Sequence, residues 1–328
     1  MSARDLVVAL SGGVGGAKLA LGLGRILAPE DLLVVANTAD DFEHLGLHVS
    51  PDVDTLMYTL GGLENAGTGW GQRGETWSFM DMLARLGGET WFRLGDRDLA
   101  VHVERTRRLS RGETLSDITA DFCRRIGVRH RIVPMTDDRV RTRLRTAEGW
   151  IDFQDYFVRR QCRPDVHDIE FEGAARARPH PDIMMGLRSE RLRAVVICPS
   201  NPFISVEPIL ALPGLRSALE SCSAPVVAVS PIIGGRAVKG PTAKMMRELG
   251  LMPGAAAVAQ RYGPLLDGYV LDHEDAAEAS RLGLPVTVTE TLMTSLADRE
   301  RLARTVLDSA EAIWSRGGVR RGRRERHG

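Results

Sequence analysis

Leu6-Val7-Val8-Ala9-Leu10-Ser11-Gly12-Gly13-Val14-Gly15-Gly16-Ala17-Lys18 is the stretch whose reading decides the fold. Residues 6–10 form a short apolar run, which predicts a buried strand. Residues 11–16 follow with four glycines in six positions. Residues 17–28 then read as a helix, with Leu19, Leu23, Ile26 and Leu27 on one face. A strand, a glycine loop and a helix in succession aim backbone N–H groups and a positive helix end at an anion, usually a phosphate. The spacing is not that of a Walker A loop, because Ala17 and Leu19 stand where glycine and Ser/Thr are required. Nor is it the dinucleotide fingerprint, whose third glycine is Lys18 here. The competing reading is a tight turn without a ligand, since the first use of glycine is steric.

Outward from this stretch, the 328-residue chain is 43% hydrophobic and 26% charged, an ordinary globular composition with ample material for a core. Lys+Arg and Asp+Glu both number 43, so overall charge gives no footprint for a specific nucleic-acid partner. The four cysteines form no C-x-x-C pair, which argues against a disulfide framework or a zinc site and for a reducing, cytoplasmic setting. No signal sequence is evident, and no apolar run approaches the ~18 residues that would span a membrane. We expect one α/β domain over residues 1–315, with a helical insertion at about 62–127. Residues 316–328, with six arginines, are expected to be a disordered tail.

Residues 32–36 predict a second strand, parallel to the first through a right-handed crossover. At its end stands Asn37-Thr38-Ala39-Asp40-Asp41. Ligands of open parallel sheets sit beyond the carboxyl ends of strands, and hard cations that accompany phosphates take carboxylate oxygen. Neighbours on an extended chain point opposite ways, so one of Asp40 and Asp41 is expected to face the site; an Asx turn is the alternative. In Ser50-Pro51-Asp52-Val53-Asp54, Pro51 opens a helix and Asp52 reads as charge placement at its N-terminus. Trp70, in a glycine-rich loop, either stacks on a planar ligand or plugs the core. Helices are expected at 76–86, 99–108 and 115–126. Residues 131–135, 140–146 and 150–153 read as strands, the alternation at 140–146 suggesting a half-exposed antiparallel ribbon. Residues 159–181 carry no clear pattern. Further strands at 194–198, 225–229, 269–271 and 286–288 restore the parallel pattern, and a closing helix spans 299–314. Pro199-Ser200-Asn201-Pro202, Ser230 to Gly235 and Lys239-Gly240-Pro241 follow strand ends and should converge on the rim of the first glycine loop.

Together these motifs resemble the 2-phospho-L-lactate transferase (CofD-like) family of coenzyme F-420 biosynthesis. The stretches that carry the likeness are Ser11–Lys18, Asn37–Asp41, Ser50–Tyr58, Leu94–Asp98, Pro199–Pro202, Ser230–Gly235 with Lys239–Pro241, and Thr291-Leu292-Met293-Thr294. The resemblance implies a Rossmann-like, mostly parallel sheet with a helical region beside the active site, and a homodimer. It implies transfer of a phosphorylated three-carbon acid from a guanosine diphosphate conjugate to the ribityl hydroxyl of Fo, a deazaflavin, with release of GMP and a need for Mg²⁺. By position, Asp54 and Arg93 are the implied Fo contacts, and Asp40 with Asp54 the implied metal ligands and catalytic pair. Gly12, Gly13, Gly15, Asn37, Ser200, Asn201, Gly234, Gly235 and Lys239 fall on the nucleotide side. Asp54 also reads as a possible acceptor for the proton of the attacking hydroxyl.

Three other readings compete. A related gluconeogenesis-associated regulator family, linked to UDP-sugar binding, shares the glycine start and the Ala-Asp-Asp turn. There a Gly-Gly-Ser-Ser run follows; here Phe42-Glu43-His44-Leu45-Gly46 does. A nicotinamide oxidoreductase is disfavoured by the missing third glycine, and an RNA-binding role by the neutral charge. His44 and His48 read as surface or packing residues.

Overall fold

The computed structural model describes residues 4–317. In chain order the strands are β1 (Leu6–Ser11), β2 (Leu32–Ala36), β3 (Phe42–His44), β4 (Leu47–Val49), β5 (Arg131–Pro134), β6 (Arg141–Thr146) and β7 (Gly149–Asp152). There follow β8 (Asp168–Glu172), β9 (Leu192–Ile197), β10 (Val226–Val229), β11 (Ile232–Ile233), β12 (Arg236–Ala237), β13 (Gly268–Asp272) and β14 (Val286–Thr289). Helices α1 (Gly13–Ile26), α2 (Pro51–Leu60), α3 (Ser78–Arg85), α4 (Asp96–Leu109) and α5 (Leu115–Arg125) lie in the first half.

Seven strands form the main sheet in the order β14-β13-β10-β9-β1-β2-β5, and every pairing in it is parallel. The chain builds outward from β1 through β2 to β5, then returns to the other side of β1 and builds outward from β9. The strand order therefore reverses between β1 and β9, and the crevice at such a reversal is where open α/β sheets take ligands. The sheet is buried on both faces. Val8 and Leu10 of β1 enter one apolar cluster, Val7 and Ala9 the other. That explains why β1 and β2 read as continuous apolar runs without alternation.

Several boundaries differ from expectation. Helix α1 begins at Gly13, so most of the glycines lie inside its first turn. Their reason is contact. A Cβ on Gly15 would sit 2.5 Å from the Pro199 carbonyl oxygen, and one on Gly16 would sit 2.4 Å from Ser11 Oγ and 2.6 Å from Ser200 Oγ. The strand expected at 131–135 is the edge strand of the main sheet, paired with β2. The antiparallel ribbon is β7-β6-β8, and β8 lies in the stretch that had no pattern. Within the expected helical insertion, α4 packs on the β3–β4 hairpin, whereas α5 belongs to the sheet's own crossover, burying Ile118, Phe122 and Cys123 in the core. The expected disordered tail lies, from residue 318 on, outside the described residues.

Candidate active site

The carboxyl ends of β1, β2 and β9 meet at the start of α1. Gly12, the N-cap, is extended (φ −150°), and Gly13 turns into the left-handed region at φ +65°, which glycine adopts without strain. The two leading amides have acceptors from distant segments. Gly12 N–H donates to Ser200 Oγ at 3.1 Å, and Gly13 N–H donates to Asp52 Oδ1 at 2.6 Å. Asn37 Nδ2 donates to Asp52 Oδ2 at 2.9 Å, while Asn37 Oδ1 accepts from Ala39 N–H at 3.0 Å. Asp52 thus clasps the helix end to the turn after β2. Its carboxylate at a helix N-terminus is electrostatically favourable, yet burial pushes its pKa up to about 6, against the hydrogen bonds from Asn37 and Gly13. N-terminal charge placement understates this residue: it is 7% exposed and central to the site.

Both members of the Asp40-Asp41 pair are buried. Asp40 Oδ1 accepts from Thr142 Oγ1 at 3.1 Å. Burial, followed by the charge of Asp52, pushes the Asp40 carboxyl well above the usual range. Asp41 Oδ2 accepts from Ser50 Oγ at 2.7 Å and lies 3.2 Å from His48 Nε2. Its Oδ1 is buried without a hydrogen-bond partner among the described residues. Among the described residues, neither Asp40 nor Asp52 has a cationic side chain as partner.

Asp54 faces the other way. Two residues along a helix is about 200° of rotation, so its carboxylate meets α4. Arg105 grips both oxygens, Nη1 at 3.1 Å from Oδ2 and Nη2 on Oδ1. His102 Nδ1 lies 3.7 Å from Asp54 Oδ2, and His102 Nε2 lies 3.4 Å from Asp98 Oδ2. Tyr58 Oη donates to Asp98 Oδ1 at 2.6 Å. Burial pushes Asp54 up, while the Arg105 charge draws it back. Burial also works against ionised Asp98, but its His102 and Tyr58 hydrogen bonds hold it below the usual value. Asp54, Asp98 and His102 each offer a ligand atom within 4.8 Å of the others. Sequence reasoning missed Asp98, His102 and Arg105 as partners of Asp54, although their four- and three-residue spacing puts them on one face of α4.

The remaining expected residues fall around this centre. Asn201 Oδ1 accepts from Phe203 N–H at 2.9 Å, capping the turn after β9. Gly234 and Gly235 form the β11–β12 turn with φ +56° and +72°, the pair of positive values that a tight hairpin demands. Lys239 Nζ donates to the Thr68 carbonyl at 2.5 Å, tying its loop to the glycine-rich loop near Trp70. Trp70 is 43% exposed, so it does not plug the core. Arg93 is exposed, its guanidinium 4.2 Å over the Trp77 ring. His44 sits in an aromatic group, 5.0 Å from Trp91 and 5.7 Å from Phe92 between ring centroids. A cavity of about 910 Å³ opens between the Asp40-Asp41 turn, Trp91 and the ribbon.

The fold and site define a doubly wound α/β enzyme with acidic side chains and a glycine-rich helix start gathered at the strand-order reversal. The family model described as "2-phospho-L-lactate transferase CofD" matches residues 7–307. The phosphoenolpyruvate transferase of Kitasatospora aureofaciens is 40% identical over 94% of this chain and 98% of that protein. The 2-phospho-L-lactate transferase of Methanopyrus kandleri is likewise 40% identical, over 93% of this chain and 97% of that protein. A solved structure of a UPF0052 family member from Bacillus halodurans superposes with a TM-score of 0.63 over 94% of this chain and 99% of that one, at 13% identity, which speaks to fold alone. The chain belongs to the CofD family of 2-phospho-L-lactate transferases, enzymes that transfer phosphate-containing groups. No helix among the described residues is long and apolar enough to cross a membrane.

Proposed function

We propose that this chain is a cytoplasmic, Mg²⁺-dependent enzyme of coenzyme F-420 biosynthesis. It transfers a phosphorylated three-carbon acid (phosphoenolpyruvate, 2-phospholactate or a phosphoglycerate) from its guanosine diphosphate conjugate to the ribityl hydroxyl of Fo, releasing GMP. The observation that carries the reading is the convergence of Gly12, Gly13, Asn37, Asp52 and Ser200 at one point of the sheet. The activities for which the relatives are named point the same way.

The residues present fit a hard cation. Asp40, Asp41 and Asp52 offer oxygen donors, one oxygen of Asp41 has no partner, and crowding of the carboxylates raises the cost of their charge. In this proposal Asp40 and Asp52 hold the cation. Asp54, whose oxygens Arg105 already pairs, serves the acceptor hydroxyl together with Arg93. Mg²⁺, when bound, neutralises diphosphate charge and acidifies the attacking hydroxyl. The chain's own part is positioning: the α1 start and the Ser200 and Gly234–Gly235 loops orient the diphosphate, and Asp54 orients the hydroxyl and accepts its proton. Displacement at a diphosphate needs little else from the protein.

Incubation of the full chain with Fo, Mg²⁺ and guanosine diphosphate conjugates of each acid, with mass detection, tests the reading. The expected result is an Fo adduct carrying the phosphorylated acid, with equimolar GMP. Absence of adduct with every conjugate overturns it.

A further inference from the structure

The arginine-bearing face of β6 forms one wall of the 910 Å³ cavity, and the Asp40-Asp41 turn forms another. The two walls are stitched together: Thr142 N–H donates to the Ala39 carbonyl at 2.7 Å, and Thr142 Oγ1 donates to Asp40. The arginines of the cavity differ in how they are neutralised. Arg139 pairs with Glu172, Arg143 with Asp152 and Glu172, and Arg160 with Glu148 and Asp155. Arg159 is exposed, 5.9 Å from the Trp91 ring. Arg141 is half-buried, and among the described residues it forms no ion pair. Its side chain donates from Nη1 to the carbonyl of Val140 at 2.7 Å, and to no other group among the described residues. Burial pushes its pKa down, with Asp41 the leading opposing charge. Most of its donor fork is uncommitted, and it stands beside the acidic turn proposed to hold the cation.

A half-buried guanidinium without a carboxylate is costly unless a ligand completes it. Its planar fork matches a carboxylate in two-point contact, and a carboxylate is the group that distinguishes a phosphorylated three-carbon acid from a plain nucleoside diphosphate. We propose that Arg141 anchors the carboxylate of the transferred acid, so that this cavity is the subsite that selects the donor. The assignment of that carboxylate to the acid rests on the function proposed above; the subsite itself is a site for a small phosphorylated carboxylate.

Trp91 and Trp150 line the cavity, so their fluorescence reports its occupancy. The full chain in Mg²⁺ is titrated with phosphoenolpyruvate and with isopropenyl phosphate, in which a methyl replaces the carboxylate. Wild type is expected to bind phosphoenolpyruvate about 30-fold more tightly. In Arg141→Met the two ligands should bind alike, and in Arg141→Lys, which keeps charge but loses the fork, the preference should be intermediate. Equal binding by wild type, or a preference that survives in Arg141→Met, overturns the proposal. Loss of folded protein in Arg141→Met passes the decision to Arg141→Lys, which must lose at least part of the preference. Product formation by wild type is read separately. A chain that binds phosphoenolpyruvate through Arg141 yet makes no Fo adduct sinks the functional reading and leaves the subsite standing.

Discussion

Asp52 and Asp54 leave the same first turn of α2 and enter opposite electrostatic settings. Asp52 joins Asp40 and Asp41, a buried group of like charges stabilised by amides and hydroxyls. Asp54 joins Arg105 and His102, a buried group in which opposite charges meet. Both carboxyls are pushed up by burial, but the charge of Asp41 adds to that push on Asp52, whereas Arg105 opposes it on Asp54. The difference teaches that one helix end can serve two tasks: a face short of positive charge, suited to a cation, and a face already balanced, suited to holding a carboxylate in one orientation.

The largest test of this contrast is Asp54→Asn. If Asp54 serves the acceptor hydroxyl, turnover should fall ~10²–10⁴-fold, while binding of guanosine nucleotide, followed by calorimetry, stays within a few-fold. Unchanged turnover would leave the balanced face without a chemical role. Arg105→Met should act on stability instead. Arg105 is 0% exposed, and removing it strands a buried carboxylate, a loss of about 3–5 kcal/mol measurable by urea unfolding. A loss below 1 kcal/mol would mean that Asp54 is solvated after all.

On the crowded side the signature is pH. Asp52 has a folded pKa of about 6 against an ordinary 3.8. The folded state holds its proton more tightly, so this contribution is fully present below about pH 4 and is lost as pH rises through 6. Metal-free protein should therefore gain stability on acidification from pH 7 to 4, and Asp52→Asn should flatten that slope by about 2 kcal/mol. Mg²⁺ should work in the reverse direction, stabilising wild type most at pH 7 and Asp52→Asn least, by thermal shift with an EDTA control. An unchanged slope in the variant would remove Asp52 from the group. A comparable change in stability, without any change of charge, is expected at Gly16→Ala, where the new methyl meets Ser11 and Ser200 hydroxyls. About 1–3 kcal/mol should be lost, with the pH slope intact because no charge changes.

The sheet was readable because its signals are local. The apolar runs at β1, β2, β9 and β10 are buried on both faces, and burial on both faces is what a continuous run encodes. The start of α1 was misplaced because glycine's low helix propensity masks its second use, letting Pro199, Ser11 and Ser200 approach. Strand β8 was invisible because its burial alternates between partial and full exposure, and its pairing with β6 depends on residues far away in the chain. Asp40, Asn37 and Ser200 were legible as members of the candidate site because each follows a strand that its apolar run marks. Asp52 was undervalued because a carboxylate in a first helical turn is usually explained by the helix alone.

The chain's own order of residues determined the buried strands of the main sheet and which loops would follow their ends, since strand periodicity and glycine placement act over a few neighbours. Only the tertiary structure decided how charges were shared among those loops: that Asp52 turns to Gly13 and Asn37, that Asp54 turns to Arg105, and that Arg141 is left without a carboxylate among the described residues. The reason is that Coulomb and desolvation energies depend on distance and burial in space, and the partners involved lie from 15 to 51 positions apart along the chain.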